Sequence, residues 1–203
     1  MNRRGVLPLL LLVLAAAAGY IVWRSSSRPS ARVTNALVLP ARVRIDAAID
    51  TVLAPGASLS WPLERGSVSA LVWEAVPART RGGVPVGAPI GGSQMVGGES
   101  GSRDQAITAR SGGVDFFAPL ITNETGVPLQ VRVNAGLADA EECPCEVAVG
   151  ATRAVIGYYR LFGNSTVEVR DASGRRATFR DLGKEVDRRS GRVGLRFAAA
   201  DLR

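Results

Sequence analysis

Apolar and polar residues alternate along most of this chain with a period of two. Val43, Ile45, Ala47 and Ile49 are interleaved with Arg42, Arg44, Asp46 and Asp50, which predicts a strand with one dry face and one wet face. Ala54-Pro55-Gly56-Ala57 marks a turn, and Leu59, Trp61 and Leu63 then fall on alternate positions. Arg65-Gly66 turns the chain again into residues 68–76, which include Leu71, Val72 and Trp73. Strands joined by such short turns form a meander.

A second block begins at Val114. Residues 114–122 are an apolar run containing Phe116 and Phe117, followed by the turn Asn123-Glu124-Thr125-Gly126. Leu129, Val131 and Val133 then alternate with Gln130 and Arg132. Residues 146–149 and 153–161 are further strands around a break at Val149-Gly150-Ala151. Val167 and Val169 lead to a hairpin turn at Asp171-Ala172-Ser173-Gly174, with Ala177 and Phe179 on the return. Val193, Leu195 and Phe197 form the last alternation. Beyond residue 24 no window sustains a 3.6-residue period. The expectation is an all-β fold: an antiparallel β-sandwich or open barrel of about seven to nine short strands.

Residues 81–113 separate the blocks and contain ten glycines. Residues 37–79 are too few to bury a stable core unaided. The reading is therefore one β-sandwich domain at 37–203 carrying a long Gly-rich loop at 81–113.

The amino terminus departs from this pattern. Residues 6–23, VLPLLLLVLAAAAGYIVW, run 18 positions without a charge behind Arg3 and Arg4, and a bilayer core needs about 17–20. As a cleaved signal peptide, residues 6–14 are the apolar region and Ala16-Ala17-Ala18 the cleavage site. As an uncleaved anchor, the apolarity continues to Val22, and Tyr20 and Trp23 sit at the interface. The anchor is the preferred reading: a transmembrane signal anchor at 1–24 and a Ser/Arg-rich tether at 25–36. Adjacent amino-terminal arginines keep that end inside, so residues 24–203 are expected outside the cytoplasm, or secreted if the segment is cleaved.

Composition narrows the chemistry. The 203 residues include no His and two Cys, which excludes Ser–His and Cys–His nucleophiles and zinc sites that use His. The formal charge is +7, but five arginines in residues 1–32, with no acid beside them, supply most of it. That excess flanks the apolar segment, so no nucleic-acid partner is expected. Residues 170–203 hold ten basic and five acidic groups interspersed, which reads as a solvated sheet face. Lys184 is the only lysine among 25 basic residues, a bias of GC-rich bacterial genomes. No phosphate-binding glycine motif or nucleophile elbow is present.

Cys143-Pro144-Cys145 is the one chemical constellation. In an oxidising compartment the pair forms a disulfide, though a tight one. A redox dithiol or a Cu(I) site is the alternative. Asp139, Glu141, Glu142 and Glu146 surround the pair, and like charge opposes the thiolates that redox and metal work require. Tyr158 and Tyr159 are adjacent, so on a strand they face opposite ways. One of them, with Trp61, is a candidate surface platform for a partner. Asn123-Glu124-Thr125 and Asn164-Ser165-Thr166 match glycosylation sequons and are read only as surface turns.

No cofactor or metal is implied. The function expected is a non-catalytic binding or structural module of the cell envelope, membrane-anchored through residues 6–23, with an envelope protein or polysaccharide as partner. A thiol redox or copper-handling protein built on Cys143 and Cys145 is one alternative. An exported hydrolase using acidic residues alone is the other.

Overall fold

The computed structural model describes residues 29–64, 66–78, 80–81, 84–97, 103–137 and 141–203, with Ala16, Gly19 and Tyr20; for 80, 81, 84, 85 and 141–145 it describes the backbone alone. The expected membrane segment at 6–23 thus falls almost wholly outside the described residues. Among those described, no helix is long and apolar enough to cross a membrane.

The fold is all-β. Beyond residue 28 the described helical elements are two three-residue 3-10 turns, Leu182–Lys184 and Ala199–Asp201. In the N-terminal half the strands are β1 (Ser30–Asn35), β2 (Ala41–Ile45), β3 (Ile49–Leu53), β4 (Ser58–Pro62), β5 (Val68–Ala75), β6 (Thr80–Arg81), β7 (Val84–Pro85), β8 (Gly91–Gly97) and β9 (Asp104–Ile107). They are followed by β10 (Arg110–Ser111), β11 (Val114–Glu124), β12 (Leu129–Val133), β13 (Glu141–Val147), β14 (Ala154–Val155), β15 (Tyr159–Arg160), β16 (Val167–Arg170), β17 (Arg176–Phe179) and β18 (Arg192–Ala198).

Two main sheets build each half, and β6 pairs with β7 as a separate two-stranded sheet. In the first, the order β4-β1-β9 faces β3-β2-β5-β8. In the second, β11 is flanked by β14 and β15 on one side and β18 on the other, facing β13-β12-β16-β17. Most pairings are antiparallel; β1 with β9 and β11 with β18 are parallel. The buried residues accordingly form two clusters. Val33, Val43, Trp61, Leu71 and Trp73 anchor one, and Phe117, Ile121, Val131, Val169 and Phe197 the other.

The two halves repeat one plan. Val33-Thr34-Asn35 and Ile121-Thr122-Asn123 stand 88 positions apart, and Pro40-Ala41-Arg42-Val43-Arg44-Ile45-Asp46 matches Pro128-Leu129-Gln130-Val131-Arg132-Val133-Asn134 at the same offset. The geometry repeats with the letters. Asn35 donates to the carbonyls of Leu39 and Leu53 at 3.0 and 2.9 Å; Asn123 donates to those of Val127 and Val147 at 2.8 and 3.1 Å. Ala41 lies opposite Leu53, and Leu129 opposite Val147. Asp46 and Asn134 both turn through positive φ, 48° and 55°. Gly56 N–H donates to Asn35 O, and Gly150 N–H to Asn123 O.

Several sequence expectations are corrected here. Residues 30–35, expected within the tether, form β1, with Ala31, Val33 and Asn35 buried. Eighteen described strands stand in place of seven to nine, and they bury two core clusters rather than one. Residues 42–50 are a hairpin rather than one strand. Ile45 pairs with Ile49 across a three-residue turn, and an odd-length turn preserves the inward parity, so the alternation runs through the reversal unbroken. The segment 81–113 is not a bare loop: β8 pairs with β5 over seven positions, and β9 pairs with β1. Glycine hid β8 because its backbone lies on Trp73. A Cβ on Gly91 would come 2.8 Å from Trp73 O, and one on Gly92 would come 3.0 Å from the indole nitrogen.

Candidate functional site

The aromatic platform expected from the sequence does not exist. Trp61, Tyr158 and Tyr159 are 4%, 2% and 1% exposed. The two tyrosines do face opposite ways, but both faces are dry, because Tyr158 enters the first core and Tyr159 the second. Tyr159 packs on Phe117, with ring centroids 6.3 Å apart. The Tyr158 hydroxyl accepts from Val38 N–H at 2.9 Å and donates to Ser190 O at 2.7 Å. It thereby ties the first half to the second, and burial pushes its pKa well up.

Glycine permits this close approach. Ala88 N–H donates to Tyr158 O at 2.7 Å, and Gly87 and Gly157 both hold positive φ. A Cβ on Gly87 would meet Tyr158 O at 2.6 Å, and one on Gly157 would meet Val86 O at 2.7 Å. Beside the contact lies a cavity of about 370 Å³, walled by Leu39, Val76, Val86, Pro89, Ile90 and Tyr158 among others.

Cys143 and Cys145 lie on β13, at the edge of its sheet. Val131 pairs with Cys143 while the preceding Gln130 pairs with Glu146, so Pro144 and Cys145 are extra residues in a bulge. A bulge is where a strand tolerates a residue with no N–H. The two cysteine side chains lie outside what is described. The sequon at Asn123 is closed, since Asn123 is fully buried and both ends of its amide are bonded.

A polar concavity on the second half has no counterpart in the expectations drawn from the sequence. On the outer face of the β14-β11-β18 sheet, a groove of about 410 Å³ is lined by Leu120, Thr122, Arg153, Arg192, Gly194, Leu195 and Arg196. Arg192, Gly194 and Arg196 project outward from alternate positions of β18. Thr122 stands opposite Arg196 in the register and accepts from Arg153 N–H at 3.2 Å. Arg153 adopts φ of 51°, in the left-handed region, which costs a non-glycine residue about 1 kcal/mol or more. Arg196 is held by Glu124 at 2.6 Å. Among the described residues neither Arg153 nor Arg192 has an ion-pair partner; Asp187 lies within electrostatic reach of Arg192.

The first half supplies an internal reference for this face. Aligning Asn35 with Asn123 sets Arg32, Thr34, Asp104 and Ala106 against Leu120, Thr122, Gly194 and Arg196. Ser58, paired with Thr34, occupies the place of Arg153. There the polar groups satisfy one another: Thr34 and Ser58 hydroxyls are 2.8 Å apart, and Arg32 donates to Ser58 Oγ at 3.2 Å. The signal that could have revealed the groove was therefore the repeat itself. Read alone, the basic tail is an ordinary solvated face. Read against its copy, it has lost Asp104 and exchanged Arg32 for Arg153 and Arg196.

No family model and no curated protein matches the chain.

Proposed function

We propose that this chain is a non-catalytic binding module of a bacterial cell envelope. Residues 6–23 hold it in the membrane, and two β-sandwiches stacked end to end carry its binding surface outward. A disulfide between Cys143 and Cys145 fits that oxidising location. The partner is an envelope component, protein or polysaccharide.

One observation carries the reading, the direction in which the halves are joined. β1 runs from Ser30 to Asn35, and Val38, just beyond it, donates to the Tyr158 hydroxyl, which in turn donates to Ser190 O just before β18. The chain thus enters the first half at the end away from the second. The arginine groove belongs to the half farther from Ser30, where β1 begins. Such an order suits a protein that enters from a membrane and works at a distance from it. The absence of His from the sequence removes the commonest routes to catalysis, which favours recognition over turnover.

The test combines topology and thiol state on protein in its native membrane fraction. The full chain should stay with membranes through alkaline carbonate washing, and protease added to spheroplasts should digest it. Intact mass should show two alkyl adducts only after reduction. Extraction by carbonate together with protection from protease would overturn the proposal. Two adducts without reduction would remove the disulfide and favour the thiol alternative.

A further inference from the structure

We infer that the groove formed by Arg153, Arg192 and Arg196 binds a linear acidic glycan through its carboxylate or phosphate groups, an inference that rests on the binding-module reading above. Arg192 and Arg196 are four positions apart on one face of β18, about 13 Å along the strand. Arg153 and Arg196 flank Thr122 across β11, about 10 Å apart at ordinary strand spacing. The three guanidinium groups therefore mark the corners of a shallow site rather than one point. Arginine forks match carboxylate and phosphate oxygens equally well.

The fold does not need Arg153 or Arg196. The first half builds the same sheet with Ser58, Asp104 and Ala106 where the second has Arg153, Gly194 and Arg196. The exchange of Asp104 for Gly194 removes the one acid that would repel an anion at the centre of the face. It also clears the floor, since a Cβ on Gly194 would meet nothing within 4 Å. With Leu120 beside it, that floor suits the apolar face of a sugar ring. Glu124 and Asp187 lie towards the ends of the site, beside Arg196 and Arg192, which favours anionic groups held between them.

Other polyanions fit less well. Trp61, Tyr158 and Tyr159 are buried and none lines the groove, so bases of a nucleic acid have nothing to stack on there. Lipid headgroups would have to reach past the first half, which Ser30 enters at its far end. An acidic peptide adding to the free edge of β18 would lie beside the arginines rather than over them.

The experiment titrates full-length protein in neutral detergent into fluorescently labelled oligogalacturonate or phosphorylated mannan, with neutral dextran as control, and reads anisotropy. Binding of at least one acidic glycan and not of dextran is expected, and which of the two binds names the anion. Arg153→Ala, Arg192→Ala and Arg196→Ala should each weaken binding about tenfold. Gly194→Asp, which restores the acid of the first half, should do the same at an unchanged melting temperature. Arg176→Ala, on the other sheet of the same half, should change affinity less than about twofold. Binding of neither acidic glycan overturns the inference, as does an equal loss from Arg176→Ala. Tighter binding of polyglutamate or of anionic vesicles also overturns it. Membrane topology is measured separately, so a silent groove on a correctly inserted protein removes this inference and leaves the module reading standing.

Discussion

Asn35 and Asn123 have no exposed surface, and each uses both ends of its amide to close the connection that follows its strand. The nitrogen of Asn35 serves Leu39 O and Leu53 O, and its oxygen accepts from Leu37 N–H at 3.0 Å. Replacement by Ala strands two buried carbonyls and one N–H. Asn35→Ala and Asn123→Ala should each cost about 3 kcal/mol, read as a lower midpoint in urea. Asn123→Asp should do no better, because a carboxylate has no hydrogen to offer Val127 O, Val147 O and Ala148 O. Asp171 makes a prediction in pH. Its carboxyl is held below the usual range, first by the Ser173 hydroxyl at 2.7 Å and then by Arg175. A carboxyl with a lowered folded pKa stabilises fully above its unfolded value, about 3.9. That stabilisation is lost as pH falls through the folded value. Asp171→Asn should therefore flatten the acid side of the stability profile below about pH 4 and lower the plateau at neutral pH. Identical acid limbs for the two proteins would contradict this.

At the scale of strands, glycines divide by what surrounds them. Gly91 lies against Trp73 O, where a Cβ would stand at 2.8 Å, so Gly91→Ala should cost about 1–3 kcal/mol and loosen β8 from β5. Gly194 has open space around it, so Gly194→Ala should be neutral or slightly stabilising. Paired thermal melts would separate the two. The same strands show what the sequence made legible. The alternations of β2, β12, β16 and β18 were correctly read, because each has one buried and one solvated face. Strand β8 was missed, because its contact with Trp73 is made by backbone and leaves no apolar periodicity. The hairpin of β2 and β3 was missed because parity survives its turn. Tyr158 and Tyr159 were misjudged for a third reason. Alternation says that adjacent residues face apart, but not that a second core waits on the other side. The arginine groove depends on comparing the halves, and the period-two pattern is too generic to announce a repeat by itself.

The halves meet at several points, among them Ala109 N–H on Arg189 O and Ala88 N–H on Tyr158 O, and the Tyr158 hydroxyl bonds to both halves. Tyr158→Phe keeps the ring in the first core and removes the bonds to Val38 N–H and Ser190 O. The expected loss is about 1–3 kcal/mol. Trp61 and Trp73 both lie in the first half, so in a background where Trp23 is replaced by Phe tryptophan fluorescence follows that half alone. The Tyr158→Phe variant should shift the tryptophan transition to lower denaturant even though residue 158 belongs to the second half by sequence. A tryptophan transition unmoved by the variant would show that the contact carries no coupling.

That dependence has an order in time. The first core is finished by Ala118, Val155 and Tyr158, residues made after every strand of the half they complete. A chain emerging amino terminus first holds an unfinished apolar surface while residues 114–158 follow, which at about 5–20 residues per second is a matter of seconds. During that interval the second copy of the Thr-Asn corner emerges beside the first, carrying strands of the same pattern. The nascent first half is thus exposed to its own near-duplicate as a competing partner.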